Sequence, residues 1–442
     1  MKIIIPIHFK NERVYVLNSI FNYLFKVTPD IEIKNIPNYL ILLNNHSIIE
    51  IEDHFFSKYS DNTYLKPEAL PSDVVFFVSN FCSGENIPIL YGKPELIFSH
   101  EKNEKFLIKF DLIACVYFML VRWEEFVNPK KDLHNRFPLT ESIAYKYNFF
   151  KRPIVNEYIE FLWNIMIKLD YSFTRVKWNF TYSLTHDVDS IFCPVPTIKQ
   201  LGKILVKSHD LPGVLKTFYF QSFTNPHDSF KYLMDLSESI NTRSIFYLMA
   251  GKTDKLDFED YLNTTLFKKR INDIKTRGHL IGLHPSYNSY NNFELLYSEK
   301  LKLESSTGIE IEDVRQHFLR LEFPKTIVNQ ELCGFKRDSS FGYVEDIGFR
   351  CGICNEFPIF DFLSGTQLKI IEKPLIVMEG SLIHFKKLNP IQVLNEMKLI
   401  IDEVKKYNGE FIFLWHNTSF NKYAWFNYQF IYSSVLNYLN GK

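Results

Sequence analysis

Short apolar segments alternate with amphipathic helical segments from Trp178 to the end of this 442-residue chain. Such alternation is typical of βα units, which build a parallel sheet with helices packed on its faces. It therefore predicts an α/β fold for this part of the chain. The predicted strands are Trp178–Leu184, Ser244–Met249, Leu280–Leu283, Gly348–Ile353 and Phe411–Trp415, and the predicted helices include Ser229–Ile240, Tyr261–Arg277 and Ile391–Tyr407.

The first part of the chain has another pattern and predicts a separate domain. A polar stretch, Lys168–Ser172, follows its last helical segment. We therefore place a mixed α/β N-terminal domain at residues 1–172 and a second domain at residues 173–442. The N-terminal segments with strand or helix patterns are Ile3–Pro6, Tyr39–Leu43, Val74–Phe77, Phe110–Phe126 and Asn156–Leu169.

The composition excludes several classes of protein. Lys and Arg number 51 and balance 51 Asp and Glu, so no net charge favours a nucleic-acid partner. No Gly-x-Gly pair occurs, which excludes the usual dinucleotide cradle. The longest apolar run, Leu112–Val121, is far shorter than the ~20 residues of a membrane span. Without a signal-peptide pattern, and with six cysteines, the chain is expected to be cytoplasmic and to have no membrane span.

Polar residues that can carry chemistry follow several predicted strands. Asp187 and Asp189 follow the first strand, His284 follows the third, Arg315 follows a short β segment and His416 follows the last strand. Because the carboxyl ends of parallel strands meet at one edge of a sheet, we expect these side chains to lie close together. One carboxylate and an imidazole can hold a metal such as Zn²⁺, and the second carboxylate can accept a proton from water. Acidic turns and structural histidines are the alternative interpretation.

The strand-end residues lie in segments that resemble the motifs of one family, in the family's order. From Thr181 to the C-terminus the chain resembles the polysaccharide deacetylases, the NodB-homology carbohydrate esterases, which implies a distorted (β/α) barrel of the NodB type. The N-terminal region, notably Arg122–Glu125, resembles the uncharacterised domain that precedes this module in some bacterial proteins. The segments that carry the resemblance are Thr185–Asp189, Arg243–Leu248, Gly278–His284, Val314–Phe318, Arg337–Ser340 with Gly348–Arg350, and Leu414–His416.

The resemblance implies a metal-assisted hydrolase that removes an acetyl group from an N-acetylated sugar, with a divalent metal, expected to be Zn²⁺, as cofactor. Position by position, it implies that Asp189 and His284 are metal ligands and that Asp187 is the general base. It further implies that Arg315 orients Asp187.

The resemblance also implies an acid on the other side of the scissile bond. His416 would protonate the leaving amine, and Asp338 is the candidate for setting the charge of His416. The backbone N–H of Phe318 is expected to stabilise the oxyanion. Tyr287, Phe318 and Trp415 lie beside the motifs, and we expect their rings to bind the carbohydrate substrate.

One departure from the family pattern affects the metal site. Asn288 stands where the family has its second metal-binding histidine, and an amide oxygen is a poor ligand for Zn²⁺. Either Asn288 or water completes a weaker site, or another histidine (His186, His279 or His317) takes the place, or the protein works without a tightly bound metal. We therefore expect zinc affinity below the family norm.

This departure leaves two further functions open: a catalytically silent glycan-binding protein on the same scaffold, and a metal-free amidohydrolase of the same fold. For the hydrolase, the expected substrate is a cell-envelope polysaccharide or its soluble precursor. Two other patterns are interpreted as structural or secondary. Cys351 and Cys354 are expected to be core residues, and His384 is a second match to the Leu-x-His motif, for which His416 is preferred.

Overall fold

Two large β-sheets organise the chain, one in each half. The structure is a computed structural model that describes residues 1–84, 86–100, 103–170, 172–195, 197–258, 261–420 and 428–441. Tyr171, in the predicted boundary segment, lies outside these ranges. The division at residue 172 therefore stays a prediction.

The N-terminal half contains a six-stranded mixed sheet in the order β2-β1-β3-β4-β8-β7 and a separate β5–β6 hairpin. Apolar residues of the inner strands, such as Ile3, Ile5 and Ile49, are fully buried against the helices. The strands are β1 (Lys2–Pro6), β2 (Asp30–Lys34), β3 (Tyr39–Leu42), β4 (Ile48–Ile51), β5 (Val75–Phe77), β6 (Ile87–Ile89), β7 (Gly92–His100) and β8 (Glu104–Phe110).

The most apolar helix of this half, Leu112–Val121, is buried along its whole length. Asp111 begins it by accepting a hydrogen bond from Ala114 N, and Arg122, with φ 57°, ends it. Among the described residues, no helix combines the length and the apolar character needed to cross a bilayer. The helices are α1 (Lys10–Leu17, continued by π-helical Asn18–Phe25), α2 (Leu112–Val121), α3 (Trp123–Val127), α4 (Ile143–Lys146) and α5 (Ile154–Leu169).

The C-terminal half contains a nine-stranded sheet in the order β14-β15-β13-β12-β11-β10-β9-β17-β16, in which only β14 runs antiparallel to its neighbour. The strands are β9 (Thr181–Val188), β10 (Ser244–Leu248), β11 (Leu280–Leu283), β12 (Asp313–Val314), β13 (Arg337–Asp338), β14 (Phe357–Asp361), β15 (Thr366–Glu372), β16 (Val377–Met378) and β17 (Glu410–Leu414). The helices are α6 (Ile198–Ser208), α7 (Leu211–Phe223), α8 (Phe230–Ser239), α9 (Thr265–Thr276), α10 (Phe293–Thr307), α11 (Lys325–Leu332), α12 (Pro390–Lys406) and α13 (Gln429–Leu439).

The nine-stranded sheet curls strongly. Two strands separate β9 from β12, which in a flat sheet would place them ~14 Å apart. Arg315, directly after β12, nevertheless donates to Asp187 of β9 across 3.0 Å. A buried apolar cluster joins the segments after β12, β13 and β15 to strand β17: Leu319, Val344, Leu375, Ile412 and Leu414. The predicted α/β class, a distorted (β/α) barrel with a separate mixed α/β N-terminal domain, is confirmed.

One predicted strand, Gly348–Ile353, is wrong. The segment turns at Gly352, which has φ 64°, and two of its backbone hydrogen bonds join the N-terminal half: Phe349 N donates to Phe150 O, and Val155 N donates to Gly352 O. Arg350 forms a buried ion pair with Glu125. Its apolar residues are therefore buried between the two halves of the chain, a position that a strand pattern cannot distinguish from a sheet. Cys351 and Cys354 are buried and free, as expected.

Candidate active site

Five side chains line one cavity of about 220 Å³ at the carboxyl edge of the barrel: Asp187, Asp189, His284 and His416, which were predicted from the strand ends, and His317. Asp187 is the second-to-last residue of strand β9, and the other four residues follow β9, β11, β12 and β17. Parallel strands that curl into a barrel bring these ends together. The predicted convergence of Asp187, Asp189, His284 and His416 is therefore present, and His317 joins them.

Asp189, His284 and His317 form a cluster with the donor types of a metal site. One ligand atom from each lies within 4.8 Å of the others. Asp189 Oδ1 lies 3.5 Å from His284 Nε2 and 3.8 Å from His317 Nε2. This oxygen is buried and has no hydrogen-bond partner among the described residues. Burial raises the pKa of Asp189, but the surrounding histidines outweigh it and hold the pKa well below its ordinary value.

Hydrogen bonds at the far ring nitrogens orient both histidines of the cluster. His284 Nδ1 lies 2.7 Å from the carbonyl oxygen of Arg315, and His317 Nδ1 lies 3.0 Å from Asp257 Oδ1. Each Nε2 atom is thereby left for Asp189 and the cavity. Protein metal sites usually hold their histidine ligands in this way. The donor set of one carboxylate and two imidazoles fits a zinc-like metal.

Asn288 lies outside the cluster, which corrects its assignment as a doubtful metal ligand. Its side chain is exposed, and its Nδ2 donates to the carbonyl oxygen of Thr253. His317, one of the alternatives left open by the sequence, lies in the cluster instead. The second nitrogen donor thus comes from the segment after β12 and not from the segment after β11.

The other two histidine alternatives are structural. His186 lies between the carbonyl oxygen of Trp415 and Ser244 Oγ, and burial lowers its pKa to about 4. His279 Nδ1 accepts a hydrogen bond from Ser244 N, and its Nε2 faces Glu238. Both rings therefore have partners that hold them away from the cavity.

Asp187 is buried and held by Arg315. Arg315 Nη1 donates to Asp187 Oδ1 across 3.0 Å and to Thr185 Oγ1 across 2.8 Å. The other arm of the guanidinium donates to the backbone oxygen and hydroxyl of Ser339, each across 2.8 Å. The second carboxylate oxygen, Oδ2, lies 3.8 Å from His284 Nε2. This arrangement fixes one oxygen of Asp187 and leaves the other facing the metal cluster.

His416 pairs with a carboxylate that the sequence did not single out. Its Nδ1 lies 2.8 Å from Glu379 Oε1, and its backbone N donates to the same oxygen across 2.9 Å. Burial lowers the pKa of His416, but the buried Glu379 carboxylate outweighs it and raises the pKa to about 10. The imidazole is therefore protonated at neutral pH, with Nε2 as its remaining nitrogen.

The assignment of Asp338 as the partner of His416 is corrected by this geometry. Asp338 is fully buried and accepts hydrogen bonds from Gln330 Nε2 across 2.9 Å and from Ser340 Oγ across 2.6 Å. Burial raises its pKa. It stabilises the segment that presents Ser339 to Arg315, behind the cavity wall.

The three aromatic residues predicted to bind substrate have different positions. Trp415 is fully buried and packs against Phe413 and Tyr432, so its assignment as a substrate-binding residue is corrected. Phe318 lines the cavity and is half-buried. Tyr287 packs edge-on against Phe318, with ring centroids 5.5 Å apart. Phe318 and Tyr287 stay predictions for contacts with a sugar ring.

Sequence analysis missed three polar residues of the site: Asp257, Glu379 and Gln316. Glu379 is the first polar residue after β16, so the strand-end rule applied to this strand would have indicated it, whereas Asp257 lies in the loop after β10, well past the strand end, and carries no such signal. Gln316, within the Val314–Phe318 motif, lines the cavity. Its Nε2 is buried without a hydrogen-bond partner among the described residues, which makes it a donor available to a ligand.

Residues 1–171 match the model of a family described as a family of unknown function (DUF7033), as the resemblance of the N-terminal region predicts. His134 and Arg136, which line the cavity, fall within the matched residues. No curated protein sequence matches the chain.

Solved structures similar to part of the chain include deacetylases. They include a polysaccharide deacetylase from Bacillus cereus (11% identity, TM-score 0.28, 60% of this chain and 88% of the other). Another is the Puue allantoinase (9%, TM-score 0.39, 60% and 85%). A third is a CE4 family pseudoenzyme from Bacillus anthracis (9%, TM-score 0.30, 58% and 61%). The predicted resemblance to polysaccharide deacetylases is thus found again among solved structures, and at these values it says nothing about activity.

Proposed function

We propose that this protein is a metal-dependent hydrolase that removes the acetyl group from an N-acetylated sugar. One observation carries the proposal: the cluster of Asp189, His284 and His317 shares a cavity with an Arg315-held carboxylate, Asp187, and with the protonated His416. A metal site, a base and an acid are the groups that amide hydrolysis needs. The sugar substrate is taken from the resemblance to polysaccharide deacetylases.

Asp189, His284 and His317 would hold the metal. The orphaned, buried Oδ1 of Asp189 supports this assignment, because a buried carboxylate oxygen without a donor is costly unless a cation compensates it. A bound divalent metal polarises an acyl carbonyl and lowers the pKa of water from ~15.7 to ~7. Zn²⁺ is the metal expected for this donor set, and His317 replaces the missing histidine at the Asn288 position.

Asp187 is the proposed general base. Arg315 engages its Oδ1, so Oδ2 is the oxygen that accepts the proton from the attacking water. The oxygen of that water forms the new bond to the acyl carbon. Because Arg315 makes four hydrogen bonds, it holds the carboxylate in one orientation throughout the reaction.

His416 is the proposed general acid. Its Nδ1 stays with Glu379, and its Nε2 gives a proton to the amine nitrogen as the carbon–nitrogen bond breaks. The products are acetate and the free amino sugar. Gln316 Nε2 is a donor for a substrate oxygen beside the acyl group.

The size of the cavity favours a small substrate. Cavities for drug-sized ligands measure ~300–1,000 Å³, whereas this one measures about 220 Å³. One acylated sugar ring is therefore a better fit than several consecutive rings. A soluble, sugar-containing precursor of an envelope polysaccharide, handled in the cytoplasm, agrees with this size and with the six free cysteines.

The test measures acetate released from N-acetylated monosaccharides and nucleotide-linked sugars, with added Zn²⁺ or after chelation. We expect zinc-dependent release that Asp187→Asn lowers by about 10²–10⁴-fold. Asp402→Asn, which changes an exposed carboxylate bonded to Tyr438, is the matched control and should release acetate at the wild-type rate. Saturable sugar binding without turnover would instead establish a silent glycan-binding protein, and turnover that resists chelation would establish a metal-free amidohydrolase.

A further inference from the structure

A segment of the N-terminal domain, Asp132–Arg136, reaches the cavity of the barrel. Its His134 and Arg136 line the cavity beside His317 and Phe318. The His134 ring lies 4.7 Å from the Phe318 ring, and its Nδ1 lies 3.0 Å from Tyr287 Oη. The wall of the cavity is therefore built from both halves of the chain.

The turn that carries His317 has an unfavourable backbone. Phe318 has φ 60° and Leu319 has φ 52°, and both values belong to the left-handed region that residues with a Cβ rarely adopt. Two such residues in succession persist only where the surrounding structure holds them. The position of His317 thus depends on contacts from outside the turn.

Two hydrogen bonds join the N-terminal segment to this turn. Arg136 Nη1 donates to the carbonyl oxygen of Phe318, in the middle of the turn, across 3.0 Å. Directly after the turn, Arg320 Nε donates to the carbonyl oxygen of His134 across 2.8 Å. The Arg320 guanidinium also stacks on the Tyr287 ring, with its carbon 3.8 Å from the centroid.

Arg136 is itself fixed before it reaches the turn. Its Nε donates to Asp132 Oδ2 across 2.7 Å, and its backbone N donates to Asp132 Oδ1 across 2.8 Å. Its side chain is only 9% exposed. A guanidinium held in this way presents Nη1 in one direction, as a residue that orients the turn carrying a metal ligand must.

We propose that the N-terminal domain is part of the metal site, with Arg136 as the positioning residue that holds the His317–Leu319 turn so that His317 Nε2 faces Asp189. The proposal rests on the proposed function, because it takes His317 as a metal ligand. It gives the N-terminal domain a role: it completes a site whose chemical groups all come from the barrel.

The first test needs no metal. Hydrogen exchange at residues 316–320 is compared in chelator-treated wild type, Arg136→Met and Leu133→Ser. Leu133 lies in the same segment and is 99% exposed, so its substitution is the matched control. We expect about tenfold faster exchange in Arg136→Met alone. Equal exchange in the three proteins overturns the proposal. If Arg136→Met does not fold, Asp132→Asn, which loosens Arg136 without removing it, is expected to change exchange in the same direction.

The second test uses Co²⁺ as the probe, since its visible spectrum reports the ligand set. We expect Arg136→Met to bind Co²⁺ about 10–100-fold more weakly, with an altered spectrum. Adding Phe318→Gly, which removes the cost of the positive φ, should restore part of the affinity. Unchanged Co²⁺ affinity and spectrum in Arg136→Met overturn the positioning role. Absence of Co²⁺ binding in the wild type overturns the proposed function instead, while hydrogen exchange still decides whether Arg136 holds the turn.

Discussion

Two histidines of the cavity, His317 and His416, each pair through Nδ1 with a carboxylate. The two carboxylates differ in their other hydrogen-bond partners. Asp257, the partner of His317, also accepts hydrogen bonds from Thr253 N, Asp254 N and Tyr287 N. Glu379, the partner of His416, receives its donors at Oε1, and its Oε2 is buried without a partner among the described residues. Asp257 has three backbone donors besides His317, whereas the donors of Glu379 are the backbone N and Nδ1 of His416 and the Ser419 hydroxyl, all at Oε1.

The rings of His317 and His416 also have different neighbours. The His317 ring lies 5.0 Å from the His284 ring and belongs to the three-residue cluster with Asp189. His416 lies outside that cluster, and Glu379 raises its pKa to about 10. A histidine paired with a carboxylate can therefore serve two purposes. A buried carboxylate whose two oxygens both have backbone donors orients a ligand, and one with an oxygen left without a donor keeps a proton on the histidine that acts as the acid.

Glu379→Gln removes the carboxylate charge beside the proposed acid, His416, and has the largest expected effect. Glu379 raises the pKa of His416, so without its charge burial dominates and the pKa falls. Because activity needs protonated His416, the alkaline limb of the pH profile of kcat should shift to lower pH by about 2 pH units or more. Ser419→Ala removes a hydrogen bond from the same oxygen and keeps the charge, so it should move the limb far less. An unmoved limb in Glu379→Gln would exclude His416 as the acid.

Asp257→Asn changes the other pair, in which the carboxylate orients the proposed metal ligand His317. The amide presents a nitrogen to donors that now face a carboxylate oxygen, so His317 loses its orientation. We expect Zn²⁺ affinity, measured by competition with a chromophoric chelator, to fall about 10–100-fold. Asp254→Asn, in the same loop, should have no such effect, because Asp254 Oδ1 caps Leu256 N and not His317. Equal affinity of Asp257→Asn and wild type would remove His317 from the metal site.

Sequence reasoning located the site where single residues at strand ends mark it. Asp187, Asp189, His284 and His416 each follow or end an apolar strand, and parallel strands bring such positions together. It failed where the outcome depends on packing between distant segments. Asp338 ends a short strand and Glu379 follows one, and only the curl of the sheet decides which of them meets His416.

The strand that was wrongly predicted at Gly348–Ile353 and the buried ring of Trp415 show the same limit. The first overlaps one motif and Trp415 lies within another, and both pack against parts of the chain that no local pattern indicates. His317 was among the alternatives, but its selection over Asn288 depends on Asp257 and on a turn with two positive φ angles. Such backbone conformations are not marked by a glycine here, so the sequence carries no signal for them.

Glu299 extends the comparison to a buried carboxylate that has hydrogen-bond donors but no histidine partner. Ser286 donates to it from both its backbone N and its hydroxyl, yet burial outweighs these bonds and raises the pKa of Glu299 to about 7. In the unfolded chain its pKa is ~4.3, so stability is full below that value and is lost as the pH rises through about 7. We expect the free energy of urea unfolding to fall by about 1 kcal/mol between pH 6 and 8 in the wild type relative to Glu299→Gln. Glu294→Gln, at an exposed position of the same helix, should keep the wild-type slope, and a parallel slope in Glu299→Gln would show that Glu299 is ionised throughout this range.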